Sequence, residues 1–175
     1  MEPSDDKLLL ETSRFRVVER LQASPAGTAR RQVVLHPGAV VIVPMVDDGH
    51  VCLIRNERVA VGRTLLELPA GTLEPDEPPA STARRELQEE TGYAAARWRE
   101  LPGFFMSPGI LNERMYVFVA QDLTAGATAR EAGENIVNEV VAWDDALAMI
   151  DRGEIEDAKS IATLLMWDRR RRAAE

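Results

Sequence analysis

Apolar and polar residues alternate along most of this chain, and the period turns helical in only three places. Over residues 7–22 the runs LLLE and FRVVERLQ read as strands, closed by a Pro25-Ala26-Gly27 turn. Residues 32–35 and 39–46 are rich in β-branched side chains and are split by His36-Pro37-Gly38. Asp47-Asp48-Gly49 predicts a hairpin turn, with the returning strand over 51–55. A short strand over 65–68 follows, and others are predicted over 97–105, 115–120 and 138–143.

The first helical stretch follows the breakers Pro75, Pro78 and Pro79. Residues 80–91 contain no glycine or proline and favour helix formers, and Gly92 supplies a C-terminal stop. Ala80, Ala83, Leu87 and Thr91 form a stripe that predicts a core-facing side. Asp144-Asp145 predicts the cap of a short helix ending near residue 150. Ile161, Leu164, Leu165 and Trp167 predict a last helix over 155–171. Strands with a few helices on their faces predict an α+β layered fold, and no internal repeat or low-complexity linker interrupts it.

Composition narrows the classes. With 175 residues and 45% hydrophobic content, the chain suffices for one domain with a sizeable core. No apolar run reaches the length of a membrane span, and the acidic start MEPSDDKLLLE is unlike a signal peptide. The lone cysteine, Cys52, falls in the run VCLI and is expected in the core. One cysteine forms no intrachain disulfide, so a reducing cytoplasm is the expected compartment. A net charge of −8 argues against a nucleic-acid-binding surface. It leaves room for a small nucleotide, if metal ions and a few arginines compensate locally. The basic residues cluster at Arg30-Arg31, over 55–63 and over 169–172; the last group is expected to be a solvated helix end. His36 and His50 sit in turns without a neighbouring His or Cys and are not metal-ligand candidates.

The chemistry concentrates in residues 66–93, LELPAGTLEPDEPPASTARRELQEETGY. Gly71, Glu77, Arg85, Glu86, Leu87, Glu89, Glu90 and Gly92 stand at the spacing G-x5-E-x7-R-E-U-x-E-E-x-G-U, with U a bulky apolar residue. On a helix, Glu86 and Glu90 project from one face with Glu89 beside them. Carboxylates this close repel unless a cation joins them, and hard oxygen donors suit Mg²⁺ or Mn²⁺ better than zinc. Such an ion neutralises a pyrophosphate and polarises its phosphorus, while a carboxylate or bound hydroxide supplies the nucleophile. Arg85 can pair with Glu89 one turn on or with Glu77 in the loop, as an orienting group. Ala70-Gly71-Thr72 is small enough for a backbone carbonyl to approach a metal. A solvated acidic helix face would account for E-x-x-E-E alone, but not for Gly71, Glu77, Arg85 and Gly92 in register with it.

This pattern resembles the Nudix box, with aromatic Tyr93 replacing the terminal aliphatic residue as the sole departure. The resemblance runs over about residues 33–166. The segments RNERVAVGRTLLELPAG, SPGILNERMYVFVA and GENIVNEVVAWDDAL are similar to the ADP-ribose pyrophosphatase branch of the Nudix hydrolases. Pro108 lies fifteen positions after Tyr93, where that branch carries a proline. Glu67-Leu68-Pro69-Ala70-Gly71 matches ADP-sugar hydrolases, whereas the markers of coenzyme A and NADH pyrophosphatases are absent.

The resemblance implies a mixed sheet sandwiched between helices, behind a small N-terminal β region. It divides the chain into residues 1–37, an expected dimer arm, and 38–175, the hydrolase domain. It makes Glu86 and Glu90 the principal metal ligands, joined by the Ala70 carbonyl, with Glu89 binding metal or helping to activate water. Glu134, in a loop over 124–135, would complete the site as base or nucleophile-positioning group, with Glu131 as the alternative. Arg58 would bind a phosphate oxygen. Glu74, Ser107, Gly109 and Glu113 would contact the terminal ribose or the diphosphate, unless Glu113 instead pairs with Arg114. Arg30 would reach the substrate of the partner subunit in a homodimer. The implied reaction is Mg²⁺- or Mn²⁺-dependent hydrolysis of ADP-ribose to AMP and ribose 5-phosphate. Another nucleoside diphosphate sugar or a dinucleotide is the alternative substrate. A non-cleaving ADP-ribose sensor is disfavoured, because every box glutamate is present. No nucleic acid or membrane partner is expected.

Overall fold

The run AVVIVP becomes β4 (Ala39–Pro44), a strand buried along its whole length, as expected where both faces of a sheet are covered. The computed structural model describes residues 6–128 and 136–173. In it, β4 lies inside a mixed sheet with β7 (Ala70–Thr72), β8 (Tyr93–Phe105) and β9 (Arg114–Ala125), in the order β7-β4-β9-β8. The pairing of β4 with β9 is parallel, and those of β4 with β7 and β8 with β9 are antiparallel. A second, antiparallel sheet joins β5 (His50–Arg58) to β6 (Arg63–Glu67) and β10 (Ile136–Ala142), in the order β10-β5-β6. The N-terminal strands β1 (Lys7–Glu11), β2 (Arg16–Ser24) and β3 (Gly27–Leu35) form a separate antiparallel sheet.

Alternation along β4 divides the core in two. Val41 and Val43 join Val51, Leu53, Val117, Trp143, Leu164 and Trp167, under α2 (Trp143–Asp151) and α3 (Ala158–Arg172). Val40 and Ile42 face the other way, toward Ala83, Leu87 and Phe118. Ala83 belongs to α1 (Pro79–Glu86), which continues through a π-helical turn, Leu87–Thr91. Gly92 then ends the helix in the left-handed region at φ 77°, where a side chain would be strained. The mixed sheet between helices, in an α+β fold, is the expected architecture.

Several local expectations need correction. Ala80 is exposed, so it does not belong to the core stripe, whereas Thr82 is buried beside Ala83. Asp144 and Asp145 lie in the first turn of α2, where they complement the helix dipole; the cap position is Ala142, without a side-chain bond. Helix α3 starts at Ala158 instead of 155, because Asp157 accepts the Ser160 N–H at 3.0 Å as a true N-cap. The arginines at its end are not simply solvated. Arg171 lies over the Trp143 ring and donates to the Asp48 carbonyl at 2.6 Å, while Arg172 pairs with Asp168. Strands β3 and β8 both start earlier than predicted, since hairpin pairing carries residues such as Thr28 and Ala94 in register with their partners. Cys52 is buried as expected.

Candidate active site

The backbone between β6 and β7 is fastened on both sides before it reaches the box residues. The Leu68 N–H donates to Ser160 Oγ at 2.7 Å, and the Ile42 N–H donates to the Pro69 carbonyl at 2.9 Å. The chain then enters β7, where the Ala70 N–H donates to Glu90 Oε2 at 2.9 Å. Glu90 is only 3% exposed, so this bond anchors a carboxylate with little access to water. Glu86 lies directly against Gly71: a Cβ built on Gly71 would stand 1.8 Å from Glu86 Cδ. Glycine leaves room here for the close approach of the carboxylate, with Ala70 next to it.

Arg85 is the hub of the acidic cluster. Its Nη1 donates to Glu86 Oε1 at 2.8 Å and Glu89 Oε2 at 2.9 Å. Nε and Nη2 grip both oxygens of Glu77, at 3.2 and 3.0 Å. Arg85 therefore pairs with both acids that the sequence offered as alternatives. The Glu77 hydrogen bonds, aided by Glu86 and Glu89, hold the guanidinium above the ordinary arginine range, against the cost of burial. Glu77 is in turn held below its ordinary value, chiefly by Arg85.

Arg85 and the carboxylates of its helix border a cleft of about 750 Å³. Glu86, Glu89, Glu90, Ala70, Gly71, Glu74 and Arg58 all line it. The donor set is hard oxygen throughout, with a glycine cradle beside one carboxylate and a backbone carbonyl within the same loop, which fits Mg²⁺ or Mn²⁺ by type. Among the described residues, no three His, Cys, Asp or Glu side chains already converge as a metal cage. Three of the box carboxylates, Glu77, Glu86 and Glu89, are held by Arg85.

The remaining expected residues divide. Arg58, at the end of β5, lines the cleft but gives Nε and Nη2 to Glu67, at 2.9 and 2.6 Å. Ser107, Gly109 and Glu113 sit in the segment linking β8 to β9 and are not part of the cleft wall. That segment is tied to β3, through Val34 N–H to Ile110 O at 2.8 Å and Asn112 Oδ1 accepting from His36 N–H at 2.7 Å. Glu113 faces His36 at 3.6 Å, while Arg114 lies over the Phe105 and Tyr116 rings. Arg30 lies on β3, bound across the hairpin to Glu19 and away from this chain's own cleft. Glu134 and Glu131 fall outside the described residues.

Sequence reasoning missed two cleft residues from the N-terminal sheet, Ser13 and Arg14. Thr12 Oγ1 accepts from the Arg14 and Phe15 N–H groups at 3.2 and 3.0 Å, shaping the turn between β1 and β2. Asn56, inside the Arg55-to-Arg63 basic run, was also missed. Glu67 carried a signal that went unused, a single carboxylate inside the apolar run LLELP.

The carboxylate helix and the cleft wall apart from Ser13 and Arg14 lie within the region matched by one family. The NUDIX domain profile matches residues 35–164. An ADP-ribose pyrophosphatase of Bacillus subtilis is 38% identical over 145 residues, covering 82% of this chain and 78% of that protein. A methanol dehydrogenase activator of Bacillus methanolicus is 32% identical, covering 82% and 79%. A GDP-mannose pyrophosphatase of Citrobacter koseri is 36% identical, covering 73% and 71%. The crystal structure of an ADP compounds hydrolase superposes with a TM-score of 0.83 at 24% identity, over 97% of this chain and 93% of that one, and shares its fold. With the domain profile spanning the two sheets that follow β3 and the box helix, the chain belongs to the NUDIX family and is a Nudix pyrophosphohydrolase.

Proposed function

We propose that this chain hydrolyses the diphosphate of ADP-ribose, releasing AMP and ribose 5-phosphate, with Mg²⁺ or Mn²⁺ as cofactor. The observation that carries the reading is a single cleft wall on which Glu86, Glu89, Glu90 and the Ala70–Gly71 backbone meet, with Arg58 on the same cleft. The 38%-identical ADP-ribose pyrophosphatase supports the choice of substrate. The GDP-mannose pyrophosphatase favours a second reading, in which another nucleoside diphosphate sugar is hydrolysed by the same chemistry.

Glu86, Glu90 and the Ala70 carbonyl would hold the cation, and Glu89 binds it too or accepts the proton of the attacking water. When bound, the divalent ion neutralises the diphosphate and polarises the phosphorus under attack. The residues do the rest. The Ala70 N–H keeps Glu90 aimed at the loop, Gly71 leaves room for Glu86, and Arg85 fixes the spacing of Glu86 and Glu89. Arg58 meets a phosphate oxygen. Water attacks one phosphorus, its bond to the bridging oxygen breaks, and that oxygen leaves on the other phosphate. Glu134, or Glu131, completes the site from its loop, Glu74 contacts ribose or diphosphate from the cleft wall, and Ser107, Gly109 and Glu113 would do so from the β8–β9 segment outside that wall.

Residues 1–37 act as a dimer arm in this reading, carrying Arg30 to the partner's site. The apolar surface that Leu8, Leu9, Leu10 and Leu21 leave exposed on the N-terminal sheet supports such a cover. The test is chromatographic analysis of products from ADP-ribose and a nucleotide-sugar panel, with Mg²⁺ and Mn²⁺ separately, compared by kcat/KM. ADP-ribose should give the highest value, and a higher one for GDP-mannose selects the second reading. Glu90→Gln should lower kcat by roughly a hundredfold or more while the circular dichroism spectrum is unchanged.

A further inference from the structure

We propose that Glu67 is a positioning residue that fixes the direction of the Arg58 guanidinium in the cleft, and that Lys159 and Asp157 hold Glu67 in place from the start of α3. This rests on the reading that Arg58 meets the substrate.

Glu67 ends β6 and is 1% exposed, although Leu66 and Leu68 on either side are core residues. A carboxylate buried this far is unfavourable unless both oxygens are paired. Arg58 takes both, through Nε at 2.9 Å and Nη2 at 2.6 Å. Two parallel bonds between planar groups set the orientation of the guanidinium as well as its place. The Arg58 side chain is 34% exposed and lines the cleft, so one end of a buried ion pair reaches the surface the substrate would use. Glu67 uses Nε and Nη2 and leaves Nη1 as the donor it does not take.

Behind Glu67 stands a second cation. Lys159 Nζ donates to Glu67 Oε2 at 2.5 Å and to Asp157 Oδ2 at 2.8 Å. The Lys159 side chain is 10% exposed, so the network has two cations, two carboxylates and little water. Asp157 also accepts from the Ser160 N–H and hydroxyl at 3.0 and 2.6 Å, and Ser160 Oγ accepts the Leu68 N–H. The first turn of α3 therefore holds both Arg58, through Glu67, and the backbone two residues before Ala70. Buried ion pairs contribute little net stability compared with apolar packing of the same volume. What this one supplies is direction, given to a cation on the cleft wall.

Glu67→Gln keeps the volume but replaces one acceptor oxygen with a donor, so the twin bond to Arg58 is lost. KM for ADP-ribose with Mg²⁺ should rise about tenfold or more, the scale found for residues that orient a binding group, with kcat changing less than KM. Combined with Arg58→Ala, it should add nothing to the KM of Arg58→Ala alone. Lys159→Met should raise KM in part, and Lys159→Arg should restore it. In ¹⁵N NMR without substrate, the Arg58 Nε–H signal should be protected in the wild type and exchange rapidly in Glu67→Gln. Full multiplication of the two single-variant effects, or an unchanged KM in Glu67→Gln, overturns the proposal. If Glu67→Gln does not fold, Lys159→Met decides by the same KM criterion. An unchanged KM in Arg58→Ala is a separate failure, of the substrate contact on which the proposal rests.

Discussion

At Gly71 the main chain and a carboxylate occupy space that any side chain would claim. The clash in a Gly71→Ala variant would be with the far end of Glu86, 1.8 Å from the new Cβ, and a flexible side chain can swing away. The fold should therefore survive while the carboxylate is displaced by an ångström or more. We expect Gly71→Ala to lower kcat by about a hundredfold, the scale of such a misplacement, with thermal midpoint nearly unchanged. Activity at the wild-type level would show that Glu86 is not needed where it lies. A glycine at this place in the box was legible from spacing alone. The identity of the group pressed against it was not, because that depends on how closely α1 and β7 approach.

The element that matters most is α1 with its π-helical turn, and its electrostatics set a pH dependence. Glu77, in the loop before α1, has its carboxyl held below the ordinary value chiefly by Arg85. A depressed carboxylate contributes stability that is complete above its unfolded value, about 4.3, and is lost as pH falls through the folded value. Thermal midpoints should therefore fall as pH drops below about 4.3, and Glu77→Gln should have a lower midpoint at neutral pH and a shallower acid decline. Parallel curves for the two proteins would mean that the pair adds nothing. Proline breakers, helix formers and Gly92 made this helix readable in the sequence. The change to π geometry at Leu87–Thr91 was not readable, and neither were the exposure of Ala80 and the burial of Thr82. Both follow from the surface the helix packs on, and periodicity carries no record of that surface.

For the whole molecule, the cleft exists because three sheets and α1 converge on it: Arg58 closes β5, Ala70 opens β7, and Arg14 comes from the turn between β1 and β2. A cation bound there stabilises the folded chain by mass action, about 2.7 kcal/mol at a hundredfold excess over Kd. Mg²⁺ or Mn²⁺ should raise the thermal midpoint by roughly 5–10 °C at that excess, and Glu90→Gln should remove most of the rise. An equal rise in the variant would place the ion elsewhere. The box, the strand-rich pattern and the α+β class were determined by the sequence itself, because spacing on one helix and alternation on one strand are local geometry. Contacts between distant segments were decided only by tertiary structure. Lys159 reaches Glu67 across 92 positions, and Asn112 reaches His36 across 76. Glu113, expected at the substrate or paired with Arg114, lies beside His36, since the β8–β9 connection folds back on β3. Local spacing names the groups that can do this chemistry, whereas their directions are set by long-range packing between strands and helices far apart in the chain.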